Sequence, residues 1–115
     1  MESKVRRGNI WWAHLPDSGR SSVQSGVRPV LIVSNEAANT YSPVVSVVPL
    51  TSSLKKKRLP THVEFTCAAL NAKSIALCEQ ILSLDKSELM NRAGFAPEWV
   101  MRKVDNAMRI QLSLV

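Results

Sequence analysis

The sequence predicts a mainly β protein, a small and strongly bent β-barrel of five or six short strands closed by a C-terminal amphipathic helix. Short apolar runs bounded by turn residues recur between residues 8 and 84, which is typical of strands. After residue 97 the apolar residues recur at three- and four-residue spacing, which is typical of a helix. The 115 residues are 45% hydrophobic and 21% charged, values that fit one globular domain over residues 1–115.

The first strand is predicted over Gly8–Leu15 and is followed by a loop over Pro16–Gly26. Gly8 and Asn9 form a turn signal ahead of three bulky residues, Ile10, Trp11 and Trp12. The loop is rich in glycine and serine, which favour turns. Its length of about a dozen residues is unusual in a compact domain and favours a functional loop, the alternative being a plain exposed hairpin loop.

The second and third strands are predicted over Pro29–Val33 and Val44–Leu50. Pro29–Val33 is continuously apolar, as in a central, buried strand. Residues Asn35–Ser42 are interpreted as a connector, and residues Thr51–Arg58 as a polar, basic loop.

The later strands are predicted over His62–Thr66, which alternates in polarity, and over Ser74–Leu84, which holds one or two strands. Asp85–Met90 is predicted to form a single helical turn. The final helix starts near Pro97, because proline suits the first turn of a helix. Its predicted apolar face consists of Val100, Val104, Ala107, Met108 and Leu112, and its polar face of Glu98, Arg102, Asp105 and Arg109.

The charge of the chain favours a polyanionic partner. Fifteen Lys and Arg residues against nine Asp and Glu residues give a net charge of +6. Such a surface gains free energy from binding phosphates, because bound phosphates release condensed counterions. RNA, DNA and an acidic protein segment all remain open on this evidence.

Several classes of protein are disfavoured by what the sequence lacks. No apolar run approaches the ~18 residues of a membrane span, and the N-terminus does not resemble a secretory signal, so a cytoplasmic protein is expected. Cys67 and Cys78 lie among apolar residues and are expected to be reduced. With His14 and His62 they show no metal-ligand spacing, so neither a metal nor a cofactor is predicted. No glycine-rich phosphate loop or Ser-His-Asp arrangement is visible.

Arg28 and Thr51 are the leading candidates for chemistry. Arg28 lies between the glycine-containing loop and an apolar strand, where its planar guanidinium matches two phosphate oxygens. Thr51 follows the third strand, where its hydroxyl reaches solvent. The alternatives are a surface arginine in an ion pair and an ordinary turn threonine.

Other residues fit nucleic-acid binding less specifically. The run Lys55–Arg58 follows Thr51 and would add positive charge beside it. His62 either donates to a phosphate or base or simply alternates on a strand. Three tryptophans could stack on bases, although tryptophans in small β-domains are more often core residues: Trp11, Trp12 and Trp99.

The order of these motifs resembles the MazF/PemK toxins, the mRNA-cleaving halves of toxin–antitoxin pairs, over nearly the whole chain. The segments that carry the resemblance are Arg7-Gly8-Asn9-Ile10-Trp11-Trp12-Ala13, Gln24-Ser25-Gly26-Val27-Arg28-Pro29-Val30-Leu31-Ile32-Val33, Asn39-Thr40-Tyr41-Ser42-Pro43, Pro49-Leu50-Thr51, Leu59-Pro60-Thr61-His62-Val63-Glu64, Cys78-Glu79-Gln80-Ile81 and Lys103-Val104-Asp105. The segment from Leu59 to Glu64 looks especially like the Gram-positive branch.

The resemblance implies an SH3-like barrel of about five to seven strands that forms a homodimer and cuts single-stranded RNA at short specific sequences without a metal. It implies Arg28 and Thr51 as the catalytic pair, and a cognate acidic, MazE-like antitoxin as partner. The positions expected to contact RNA are Gln24, Ser53, Pro60, His62, Glu79 and Gln80.

Two positions depart from the family pattern. The chain has Val23-Gln24-Ser25 where a Glu-Gln or Glu-Pro followed by Gly is usual, and His14 where an aspartate is common. We expect these departures to affect RNA sequence preference rather than catalysis. The alternatives are a non-enzymatic, CcdB-like gyrase-poisoning toxin on the same scaffold, which would lack the Arg/Thr pair, and an SH3-like nucleic-acid-binding module.

Overall fold

The computed structural model describes residues 4–17, 19, 22–53 and 57–114. Its strands are β1 (Asn9–Leu15), β2 (Gly26–Ile32), β3 (Val44–Thr51), β4 (His62–Cys67), β5 (Ala72–Leu77), β6 (Leu82–Asp85) and β7 (Leu89–Phe95). Its helices are α1 (Glu36–Tyr41) and α2 (Glu98–Leu112), and short 3₁₀ turns span Ala68–Leu70, Cys78–Gln80 and Lys86–Glu88. Within this part of the chain no helix is long and apolar enough to cross a membrane.

The strands form one strongly curled antiparallel sheet. The strand order is β4-β5-β3-β2-β1-β7, and β6 also pairs with β3. The predicted mainly β class, the bent sheet and the C-terminal helix are therefore confirmed.

The central strand β3 pairs with two consecutive strands along the edge that faces away from β2. Val47 pairs with Leu82 of β6, and Leu50 pairs with Ala76 of β5. Val47 and Leu50 are three residues apart on β3, whereas their partners Leu82 and Ala76 are six residues apart. The chain between β5 and β6 therefore contains three extra residues. The Cys78–Gln80 turn accommodates them. The break lies opposite Pro49, which has no N–H to donate to a ladder.

Two apolar clusters cover the two faces of the sheet. One lies beneath α2, which buries Val100, Met101, Val104 and Ala107 against β1, β2, β3, β4 and β5. The other contains Trp11 and Val45. Burying one Val or Leu side chain contributes about 1.5–3 kcal/mol, so α2 is held mainly by this apolar stripe.

Helix α2 agrees with its prediction except at the C-terminal end. It begins after Pro97, whose carbonyl accepts a hydrogen bond from the Val100 N–H at 3.0 Å. It ends at Leu112 and is followed by the capping residue Ser113, which adopts the left-handed conformation with φ 55°. Leu112 was predicted on the buried face and is 48% exposed, because the last turn extends past the sheet.

Three sequence predictions need correction. The predicted connector contains α1, which is capped by the Asn35 side chain accepting from the Ala38 N–H at 2.8 Å. Strand β2 starts at Gly26 rather than Pro29, because its first residues pair with the end of β1. Strand β7 was not predicted, since it carries mostly polar and small residues and is held by its pairing with β1. The predicted turn after Asp85 is present at Lys86–Glu88.

The thiols of Cys67 and Cys78 are free and buried. Burial raises the pKa of the Cys78 thiol to about 12, and the neighbouring Glu79 carboxylate adds to the shift.

We expect a thiol-specific colorimetric reagent at pH 8 to leave both cysteines unmodified in the native protein and to modify both in denaturant, because both side chains are buried in the native protein. Rapid modification of the native protein would contradict this packing.

Candidate functional site

Arg28 and Thr51 lie at corresponding ends of two neighbouring strands. The β2–β3 register pairs Ile32 with Val47 and Val30 with Pro49. Arg28 lies two residues beyond the last pair of this ladder on β2, and Thr51 lies two residues beyond it on β3. We call the region between them the Arg28–Thr51 site.

The site is open because β2 and β3 stop pairing with each other there. The ladder between β2 and β3 ends at Val30 and Pro49. Beyond that point Arg28 pairs with Ala13 of β1, whereas Thr51 pairs with Ile75 of β5. The sheet therefore splits at this end, with a charged side chain on one side of the split and a hydroxyl on the other.

Both side chains contact the loops that adjoin them. The exposed Arg28 donates from Nε to the Ser25 carbonyl oxygen at 3.2 Å. Thr51 donates from Oγ1 to the Ser53 carbonyl oxygen at 2.9 Å and accepts from the Ser53 N–H at 3.3 Å. Thr51 is half-buried and Ser53 is exposed, so the hydroxyl lies at the surface of the split.

Gln80 contacts the loop that precedes β2. Its Oε1 accepts from the Gln24 backbone N–H at 2.9 Å, and its Nε2 donates to the Ser22 carbonyl oxygen at 3.0 Å. These contacts bring together two of the predicted RNA-binding positions, Gln24 and Gln80, although they are 56 residues apart in the sequence.

Glu79 and His62 form a second group beside the first. The His62 side chain is only 4% exposed, and its Nε2 lies 2.9 Å from Glu79 Oε2. The Leu59 N–H donates to His62 Nδ1 at 3.0 Å, so Nδ1 is the unprotonated nitrogen and Nε2 carries the hydrogen donated to Glu79. Thr61 Oγ1 donates to Glu79 Oε1 at 3.1 Å.

Thr61 is a site residue that the sequence analysis did not single out. It is 7% exposed, and its hydroxyl donates a hydrogen bond to one oxygen of the Glu79 carboxylate. The available signal was its place between Pro60 and His62 in a segment already linked to the site. Pro60 itself is exposed in the turn that leads into β4.

The three tryptophans have different environments. Trp11 is 5% exposed and belongs to the core, and Trp12 is partly buried in β1. Trp99 is 52% exposed on α2, with Lys103 Nζ lying 5.4 Å from the ring centroid. The core interpretation thus holds for Trp11, and Trp99 remains available to solvent.

Positive charge beside Thr51 is only partly balanced. Lys57 and Arg58 are exposed, while Lys55 and Lys56 lie outside the described residues. Glu64 Oε1 lies 3.8 Å from Arg58 Nη2 and 3.2 Å from Lys73 Nζ. The Lys73 ammonium lowers the pKa of the Glu64 carboxyl, so this group is ionised at neutral pH. In the described ranges no three His, Cys, Asp or Glu side chains are grouped so as to hold a metal ion.

Comparison with known proteins places this geometry in context. The family model described as PemK-like, MazF-like toxin of type II toxin–antitoxin system matches residues 6–112. Endoribonuclease MazF of Staphylococcus epidermidis is 43% identical over 113 residues, covering 96% of this chain and 92% of that protein.

Solved structures agree with this match. A mycobacterial endoribonuclease, solved in complex with its cognate antitoxin, has a TM-score of 0.78 at 28% identity, covering 96% of this chain and 97% of that one. MazF from Deinococcus radiodurans has a TM-score of 0.76 at 26% identity, covering 94% of each chain.

The Glu79 carboxylate is the common acceptor for two nearly buried donors, and its removal should destabilise the protein. We expect Glu79→Ala to lower the free energy of unfolding by about 1–3 kcal/mol, because the Thr61 hydroxyl and the His62 Nε2–H lose their acceptor. Urea unfolding measures this change. The control is Glu88→Ala, which removes an exposed carboxylate and should change stability by less than about 0.5 kcal/mol. Equal effects of the two substitutions would contradict the assignment.

Proposed function

The chain belongs to the PemK/MazF family of toxins from type II toxin–antitoxin systems, and we propose that Arg28 and Thr51 cut single-stranded RNA in it without a metal. It is a MazF-like endoribonuclease toxin. The observation that supports the catalytic assignment is that Arg28 and Thr51 lie just beyond the end of the β2–β3 ladder, one on each of the two strands that part there.

The proposed reaction uses the 2′-hydroxyl of the RNA as the nucleophile. Its oxygen bonds to the adjacent phosphorus while the bond from phosphorus to the 5′ oxygen breaks. The hydroxyl loses its proton and the departing 5′ oxygen gains one, so the products are a 2′,3′-cyclic phosphate and a 5′-hydroxyl end. DNA lacks the 2′-hydroxyl and is not a substrate for this reaction.

Arg28 is proposed to stabilise the negative charge on the phosphoryl oxygens. Its Nε is engaged with the Ser25 carbonyl, which orients the guanidinium while its two NH₂ groups can face a phosphate. Because a guanidinium stays protonated in proteins, Arg28 serves as an electrostatic clamp rather than as the general base. Charge stabilisation of this kind is usually the largest single contribution to catalysis.

Thr51 is proposed to bind a phosphoryl oxygen or the 2′-hydroxyl. Without RNA its one hydroxyl hydrogen is donated to the Ser53 carbonyl oxygen. Rotation about the C–O bond can turn the O–H toward the substrate, so that Thr51 donates its hydrogen bond there. The Ser53 N–H continues to hold the oxygen in place. Thr51 therefore contributes orientation as well as a donor.

Neither histidine is placed to take the 2′-hydroxyl proton. His62 uses both ring nitrogens within the protein and would have to break the bond from the Leu59 N–H to accept one. His14 pairs with Val27, whereas Arg28 pairs with Ala13. Successive side chains of a strand point to opposite faces, so His14 and Arg28 lie on opposite faces of the sheet. The proton is therefore expected to leave to a group other than these imidazoles.

The proposed partners follow from the charge and from the family. A net charge of +6 favours single-stranded RNA and an acidic, MazE-like antitoxin segment for the same surface. The mycobacterial relative solved with its cognate antitoxin supports this interaction. We propose a homodimer, as in the family, acting in the cytoplasm, where the free thiols of Cys67 and Cys78 remain reduced.

Arg28→Ala should remove cleavage while leaving the fold intact. We expect a loss of roughly 10³-fold or more in the cleavage rate, because the main charge stabiliser is gone. The measurement is cleavage of a long single-stranded RNA in EDTA, with the 5′ ends of the fragments mapped. Arg109→Ala removes an exposed cation from α2 and should cleave at the wild-type rate.

Two results would contradict this proposal. Near-wild-type cleavage by Arg28→Ala would remove Arg28 from the mechanism. RNA that stays intact with wild-type protein would favour the non-enzymatic gyrase-poisoning toxin, or the binding module if the RNA is bound without cleavage.

Thr51 is tested by two substitutions, one that keeps the hydroxyl and one that replaces it with a methyl group. Thr51→Ser keeps the donor and should retain cleavage within about tenfold, whereas Thr51→Val keeps the shape and should lose about 10²-fold. Initial rates on one short RNA containing the mapped sequence measure both. Equal rates for the two variants would show that the hydroxyl is not required.

A further inference from the structure

We propose that the Cys78–Gln80 turn is a clamp that sets the positions of both loops beside the Arg28–Thr51 site, with Gln80 acting as a positioning residue for Arg28. The inference rests on the proposed function for its kinetic consequences. It is carried by four side-chain hydrogen bonds that leave two consecutive residues, Glu79 and Gln80, and reach two different loops.

The Gln80 amide holds the loop before β2 by its backbone. It accepts from the Gln24 N–H and donates to the Ser22 carbonyl, so both ends of the amide are used. The next residue after Gln24 is Ser25, whose carbonyl oxygen accepts from Arg28 Nε. A continuous set of contacts therefore runs from Gln80 through the loop to the guanidinium.

Glu79 holds the other loop at the point where it enters β4. Its two carboxylate oxygens bind Thr61 and His62, and His62 in turn accepts from the Leu59 N–H. The backbone adds a further contact, since the Cys78 N–H donates to the Thr61 carbonyl oxygen at 3.2 Å. The end of the segment between β3 and β4 is thus attached to the same turn.

The turn can act as a reference point because it is anchored on β3. The strands on either side of it both pair with β3, which ends in Thr51. The Gln80 contacts therefore place the Arg28 loop relative to the strand that carries Thr51. Errors of ~1 Å in the positions of reacting groups can lower a rate by about 10²-fold. Loss of the Gln80 contacts should therefore lower the cleavage rate.

This placement assigns Gln80 a different role from direct RNA contact. Each end of its amide already has one partner within the protein, the Gln24 N–H on Oε1 and the Ser22 carbonyl on Nε2, so only the second lone pair and the second N–H are left for a base edge. A residue that reads a base alters sequence preference when it is removed. A positioning residue lowers the rate at every cleavage site alike.

The experiment compares Gln80→Ala and Gln80→Glu with the control Gln111→Ala, which truncates an exposed glutamine on α2. Gln80→Ala should lower kcat by about ten- to a hundredfold on the mapped RNA, with an unchanged cleavage pattern. KM should change by less than about threefold. Gln80→Glu keeps an acceptor for the Gln24 N–H but has no donor for the Ser22 carbonyl, so its rate should be intermediate.

Amide hydrogen exchange tests the clamp without RNA or activity. In Gln80→Ala the Gln24 N–H should lose its protection, while in Gln80→Glu and Gln111→Ala it should keep it. The unreactive thiols of Cys67 and Cys78 serve as the check that the fold is retained.

Two outcomes would overturn the clamp. An altered cleavage sequence with an unchanged kcat on the preferred RNA would make Gln80 a base reader. Unchanged protection of the Gln24 N–H in Gln80→Ala would show that the amide does not hold the loop. Failure of the wild-type protein to cleave RNA would instead contradict the proposed function, and the exchange result would still decide the clamp.

Discussion

The arrangement of this protein depends on the way β3 pairs along its two edges. On one edge the pairing with β2 stops at Pro49, and on the other the returning strand is interrupted opposite the same residue. The Ser46 carbonyl faces β2, so the position of Pro49, three residues further along β3, faces the other edge, and its missing N–H weakens the ladder only on that edge. One strand thus belongs to two differently directed parts of the sheet, and the sheet curls instead of remaining flat.

Both features of the candidate site lie where the pairing of β3 is interrupted. Where β2 and β3 part, Arg28 and Thr51 are left on the two sides of an open split rather than being covered by a continuous ladder. Where β5 and β6 are interrupted, Glu79 and Gln80 leave the strand and reach the neighbouring loops. The apolar stripe of α2 packs on the sheet that carries both groups of residues.

The polar groups at the site differ in burial. The His62 ring and the Thr61 hydroxyl are nearly buried and have partners, and buried polar groups of this kind specify one arrangement because an unpaired one is costly. Arg28, Lys57 and Arg58 are exposed, although Arg28 donates to the Ser25 carbonyl and Arg58 lies near Glu64. Their positive charge favours a polyanionic partner.

The sequence by itself determined the fold class, most of the strands, α2 and the identity of the candidate pair, because these depend on local periodicity and on motif order. It did not reveal β7, whose polar residues form a strand only through pairing with β1, or α1, whose capping residue was the signal that was overlooked. The side-chain partners of Glu79 and Gln80 were decided by the tertiary structure alone. These partners are 17 to 58 residues away in the sequence, and a hydrogen bond depends on distance in space rather than on separation along the chain.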